Sequence, residues 1–140
     1  MSTEHNKAAF TAINDIFNTG DLSGVTDLIA ENYTEHDRPP GIVDGLAGFK
    51  QLVEMYRSAF PDLRSRTEQV VAEGDLVAGR IVTTGTHAGA LMRIAPTGKN
   101  IDIQEFHIVR FANGQCVEHW GVVDLMTMMH QLGVGSTQPL

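Results

Sequence analysis

The 140-residue chain is 42% hydrophobic and 19% charged, which fits one soluble domain that can bury a core of its own. Ten basic against seventeen acidic residues leave a formal charge of -7, a balance that repels phosphate backbones and anionic membranes and argues against a nucleic-acid or lipid partner. With one cysteine, Cys116, no internal disulfide can form; neither a signal-peptide pattern in MSTEHNKAAF nor an apolar run near the ~20 residues of a bilayer span is present, so a soluble cytoplasmic protein is expected.

In chain order, Ala9, Ile13, Ile16 and Phe17 recur at helical spacing between Thr3 and Asn18, and Thr19-Gly20 ends that helix. Leu22, Val25, Leu28 and Ile29 suggest a second, short helix packed against the first. NYTEHDRPPG must be a loop or a short edge strand, because its prolines cannot donate backbone hydrogen bonds. Asp44 is placed to cap a third helix carrying Leu46, Phe49, Leu52, Val53, Tyr56 and Phe60, stopped by Pro61.

Beyond Pro61 the apolar period falls from about 3.6 to 2. RSRTEQVVA and LVAGRIVTTGTH flank Glu73-Gly74-Asp75, and NIDIQEFHIVRF and QCVEHWGVV flank Asn113-Gly114. Asn-Gly between alternating runs predicts a two-residue hairpin, since both central positions of a type I′ turn need positive φ. AGALMRIAPTGKN forms a long excursion with a turn at Thr97-Gly98, LMTMMHQLG is a last short helix closed by Gly133, and VGSTQPL reads as a loose tail. Helices first and strands afterwards predict a single α+β domain, residues 1–140 with an ordered core of about 5–133, built on a curved antiparallel sheet covered by the N-terminal helices.

Counting outward from Asn113-Gly114 pairs His107 with Trp120, Glu105 with Val122 and Ile103 with Asp124. That register gathers Glu105, His107, Glu118, Trp120 and Asp124 on one face and turns His119 to the other. Glu105 and Asp124 become diagonal neighbours about 7–8 Å apart, while His107 lies roughly 13 Å along the strand from Asp124, too far for a shared hydrogen bond. A bulge near Gly121 would change this spacing.

On that face a carboxylate beside Trp120 and a second carboxylate should have a raised pKa, as a general base requires, which makes Glu105 a candidate. His107 is a candidate catalytic group or a satisfied buried histidine, and His36, in the proline-stiffened EHDRPP, is a candidate rim residue or an exposed loop histidine. With Trp120 and Glu105, His36 completes the candidate substrate contacts. Asp124 can equally cap the last helix. His87 and His119 read as structural or exposed. Met126, Met128 and Met129 suit core packing or soft apolar lining. No HxH, HxxxH or CxxC metal pair, no GxGxxG or GxxxxGK[ST] phosphate loop and no GxSxG elbow occurs. A cofactor-free, metal-free acid/base site is what remains.

The blocks GFKQLVEMYRSAFPDLR, VAEGDLVAGRIVTTGTHAG, IAPTGKNI and QCVEHWGVVDLMTMMHQLG, within roughly residues 5 to 133, together resemble the SnoaL-like polyketide cyclases of the nuclear-transport-factor-two-like superfamily. The resemblance implies a cone-shaped α+β fold, a homodimer, and cofactor-independent intramolecular aldol ring closure on a polyketide-like or other small apolar carbonyl compound. It implies a general acid/base at Asp124, with a raised pKa beside Trp120, and a pocket histidine at His107. Isomerase, dehydratase or epoxide hydrolase-like chemistry, and a non-catalytic ligand-binding dimer, are the alternatives the same superfamily holds open.

Overall fold

The computed structural model describes residues 2–134; most of the expected C-terminal tail, residues 135–140, lies outside the described residues. Helix α1, Thr3–Thr19, starts where the Ser2 side chain accepts from the His5 amide and ends at Gly20 in the left-handed region, φ 71°. A single turn α2, Val25–Leu28, runs directly into strand β1, Ile29–Glu35. Helix α3, Gly45–Ala59, is followed by β2, Arg64–Glu73, β3, Leu76–Thr86, β4, Asn100–Ala112, β5, Gln115–Val123, and helix α4, Leu125–Leu132.

The five strands form one open sheet in the order β1-β5-β4-β3-β2. Neighbours from β2 to β5 are antiparallel, and β1, which includes the start of NYTEHDRPPG, is an edge strand parallel to β5. The sheet is therefore mixed rather than wholly antiparallel. Its inner face packs on α1 and α3 through Phe10, Ile16, Phe49, Val53, Val77, Ile81, Val109 and Phe111. A second cluster of Phe60, Leu63, Leu91, Ile101, Ile103, Met128 and Leu132 joins α4 and the 87–99 excursion to the end of the sheet. Gln131 clasps α4 to β4, accepting from the Asp102 amide and donating to its carbonyl.

The Asn113-Gly114 turn forms as predicted, with φ of 53° and 80°. Its register does not extend as expected. Ala112 pairs with Gln115 and Phe111 with Cys116, but Arg110 then pairs with Glu118, so Val117 is an extra residue on β5. Because side chains alternate, one inserted residue exchanges the two faces of everything beyond it. His107 lies opposite Gly121 and Glu105 opposite Val123. The shared face of Glu105, His107, Glu118, Trp120 and Asp124 is thereby corrected: His119 joins Glu105 and His107 inside, while Trp120 turns outward between Glu118 and Val122.

Candidate active site

Between the inner face and the helices lies a cavity of about 160 Å³. Phe10, Ile13 and Phe17 of α1 and Phe49, Leu52 and Tyr56 of α3 form its roof. Along its floor, β1, β5 and β4 present four ionisable side chains in a row, and Thr83 of β3 adjoins its end.

The row begins at Glu35, aligned with His119 by the parallel β1–β5 pairing. The Glu35 carboxylate accepts from His119 Nδ1 at 2.6 and 2.7 Å, from Tyr33 Oη at 3.3 Å and from the Asp37 amide at 3.2 Å. Asp44, capping α3 as the sequence predicts, also accepts from the Glu35 amide at 2.9 Å and so fixes the end of β1 to the helix start. His119 Nε2 meets His107 Nδ1 at 2.8 Å, the rings stacked with centroids 5.0 Å apart. His107 Nε2 meets Glu105 Oε1 at 2.9 Å, and the Thr83 hydroxyl donates to Glu105 Oε2. The four side chains of the row are only 6–21% exposed.

A proton count defines what this row can do. With a carboxyl oxygen as acceptor at each end, the imidazoles make three hydrogen bonds, and each needs an N–H. Two neutral imidazoles carry two such protons, so the row with all bonds made holds one more. Without that proton one of the three bonds is left unmade, and taking a proton back restores it.

Glu105 was expected to have a raised pKa, and the structure reverses this. Burial pushes the carboxyl upward, but the hydrogen bond and charge of His107, the Thr83 hydroxyl and the charge of His119 outweigh it and hold Glu105 below its ordinary value. Trp120 and Asp124, the neighbours behind the expectation, are elsewhere. Among the described residues no Lys or Arg lines the cavity. Among the described residues no group of three or more His, Cys, Asp and Glu is arranged to hold a metal ion.

Of the residues singled out in the sequence, Glu105 and His107 meet in this row. His36 and Trp120 meet each other instead: their rings stack at 4.8 Å and 8°, and neither lines the cavity. His36 Nε2 pairs with Glu118 at 2.7 Å, and Glu118 also accepts from Arg110. Asp124 is exposed at the start of α4, where one oxygen accepts from the Thr127 amide and the other from its hydroxyl. These bonds lower its pKa, in place of the rise that burial beside Trp120 was expected to cause. Asp124 does not line the cavity, and of the three methionines named only Met128 does.

His119, Glu35 and Tyr56 were missed. His119 was hidden by the bulge, Glu35 by the parallel pairing of an edge strand, and Tyr56 by its place in a helical apolar pattern that reads as plain core. His87 is buried as a structural residue, its Nδ1 held by Thr97.

Comparison with known proteins agrees with this architecture. The chain is 32% identical to nogalonic acid methyl ester cyclase of Streptomyces nogalater, over 84% of this chain and 89% of that one. It is 29% identical to aklanonic acid methyl ester cyclase of Streptomyces galilaeus, over 90% and 89%. The solved structure of IdmH from Streptomyces antibioticus superposes with a TM-score of 0.79 at 33% identity, covering 92% of this chain and 99% of that one. TsrD from Streptomyces laurentii shares the fold at a TM-score of 0.87 and 21% identity, over 95% and 98%. The profile of the SnoaL-like polyketide cyclase family matches residues 7–132, and the chain belongs to that family.

Proposed function

We propose that this protein is a cofactor-independent cyclase that closes a ring by an intramolecular aldol addition within the apolar cavity. The observation that carries the reading is the Glu35–His119–His107–Glu105 row on the cavity floor, which supplies a carboxylate base and a proton donor side by side. Glu105 removes a proton from a carbon flanked by carbonyls, and the enolate attacks a second carbonyl of the same folded substrate. The resulting alkoxide takes the extra proton of the imidazole pair, and the proton on Glu105 restores that pair through His107. No proton is gained or lost overall, as an aldol addition requires. Holding both carbonyls in one cavity makes the step effectively unimolecular.

A carboxylate with a low pKa suffices as the base because a hydrogen between two carbonyls is itself acidic. Asp124 is not carried into this mechanism: both its oxygens serve the helix cap. The direct test incubates the protein with nogalonic acid methyl ester and aklanonic acid methyl ester, the compounds named for its relatives, and with smaller 1,3-dicarbonyl compounds bearing a distal ketone. Ring-closed product formed without added metal or nucleotide supports the reading. Absence of product across the whole panel, from protein that is folded and binds these compounds, refutes it in favour of a binding module.

The outer sheet face supports the homodimer that family resemblance implies. Phe106, Ile108 and Val122 are 55%, 43% and 68% exposed, and Val71 on β2 is 66% exposed. With Trp120 they make a contiguous apolar surface of the kind that marks an interface. We propose that a second copy covers it. Sedimentation at micromolar concentration should give a dimeric mass, and Val122→Lys should shift it to the monomer; a monomeric wild type would remove the proposal. No helix among the described residues is long and apolar enough to cross a membrane, and the buried, unpaired thiol of Cys116 suits the reducing cytoplasm, which is the compartment proposed.

A further inference from the structure

Enolate chemistry needs a hydrogen-bond donor aimed at the oxygen on which negative charge develops, as well as a base. The groups already described are committed elsewhere. All four imidazole nitrogens of His107 and His119 are engaged within the row. Tyr33 Oη donates to Glu35, the Thr83 hydroxyl donates to Glu105, Ser65 Oγ donates to Asn14, and the Asn14 amide bonds to Ser65 and Thr67. Asp37 accepts from the Gly121 amide.

Among the described residues lining the cavity, one polar side-chain group has no hydrogen bond at all, the hydroxyl of Tyr56. It is not sealed off: the buried polar atoms that are both unpartnered and inaccessible are Asn6 Oδ1 and His87 Nε2. Tyr56 stands on α3, its ring set edge-on against Phe17 with centroids 6.3 Å apart. It faces the cavity across from the row and is close enough to Glu105 to interact with its charge. We propose that Tyr56 is a catalytic residue that donates its hydroxyl hydrogen bond to the substrate carbonyl oxygen and strengthens that bond as the oxygen becomes an enolate.

Burial, reinforced by the Glu105 charge, pushes the Tyr56 phenol up to about 12, so it remains a neutral donor through the physiological range. A neutral phenol beside a carboxylate base divides the labour: Glu105 takes the proton and Tyr56 stabilises the charge left behind. The hydroxyl is reachable from the cavity and has no partner within the protein, so a bound oxygen can take its hydrogen bond. The inference rests on the ring-closure reading for its chemistry, but its test does not need turnover.

The probe is 4-nitrophenol, whose ionised oxygen mimics an enolate and whose absorbance reports its ionisation. A cavity near 160 Å³ matches the ~150 Å³ that holds a benzene ring, so a one-ring probe suits it. Wild type should bind 4-nitrophenol in preference to 4-nitroanisole, which has nearly the same shape and no ionisable oxygen. Tyr56→Phe keeps the ring and should weaken 4-nitrophenol binding by about tenfold or more while leaving 4-nitroanisole affinity and Tm unchanged. Where ring closure is measurable, the same variant should lose about 10²–10³ in kcat. No binding to wild type, equal phenol affinity in the variant, or parallel loss of both probes would each overturn the proposal. Failure of ring closure with phenol selectivity intact would instead count against the cyclase reading alone.

Discussion

Replacing Glu105 by Gln should reduce ring closure by about 10²–10⁴ with Tm held within several degrees of wild type. The amide keeps the size of the carboxylate; its oxygen can still accept from His107 while its NH2 group donates to the Thr83 hydroxyl, so the local packing survives. It cannot take a proton, and it no longer holds the extra proton on the imidazole pair. The acid limb of stability should change as well. Folding lowers the Glu105 pKa below its ordinary 4.5, so the native state binds that proton less tightly than the unfolded chain. The resulting stabilisation is fully present above pH 4.5 and is lost as pH falls through the folded-state value. In Glu105→Gln that part of the acid transition should vanish, which urea unfolding at a series of pH values would show. Asp124→Ala provides the contrast: loss of the Thr127 contacts should lower Tm by a few degrees while turnover persists. Turnover lost from Asp124→Ala at unchanged Tm, or retained by Glu105→Gln, would reverse the two assignments.

That contrast also marks what the sequence could and could not disclose. Local signals carried far: the Asp44 and Asp124 caps, the Gly20 and Gly133 stops and the Asn113-Gly114 turn all depend on residues within a few positions of one another, and all stand in the structure. Glu105 and His107 were legible because two ionisable groups on one buried strand face demand explanation. The partners across the sheet were not. Nothing in Gln115–Val123 announces the extra residue at Val117, and a single inserted residue was enough to exchange His119 for Trp120. Glu35 lies 84 positions from His119 on an edge strand whose parallel pairing leaves no turn to count from. Non-local pairing is where register reasoning from a hairpin ends, and the row of four groups spans two strand pairings, the bulged β4–β5 hairpin and the parallel β1–β5 edge.

Gly121→Ala should disable the site without touching any polar group. Position 121 is the inward-facing place on β5 beyond His119, opposite His107. A Cβ there would lie 2.6 Å from His107 Nδ1 and 2.9 Å from His119 Cε1, closer than atoms can approach. The backbone is no obstacle, since Gly121 is not among the positive-φ glycines, so the rings themselves must move. Doing so breaks the 2.8 Å bond between the two imidazoles and strands a donor or acceptor in a buried place. The steric and polar costs together should be about 1–3 kcal/mol, of which the lower chain entropy of alanine offsets only about 0.4–1 kcal/mol. Turnover should fall about as far as in Glu105→Gln, because the extra proton loses its shared position. The downfield imidazole N–H resonances of wild type should disappear in the variant's proton NMR spectrum. Gly24→Ala is the control, as a Cβ there meets nothing within 4 Å, and it should match wild type in both spectrum and rate. If Gly121→Ala instead keeps the resonances and the rate, the two histidines do not act as one unit, and the acid/base role would have to rest on Glu105 alone.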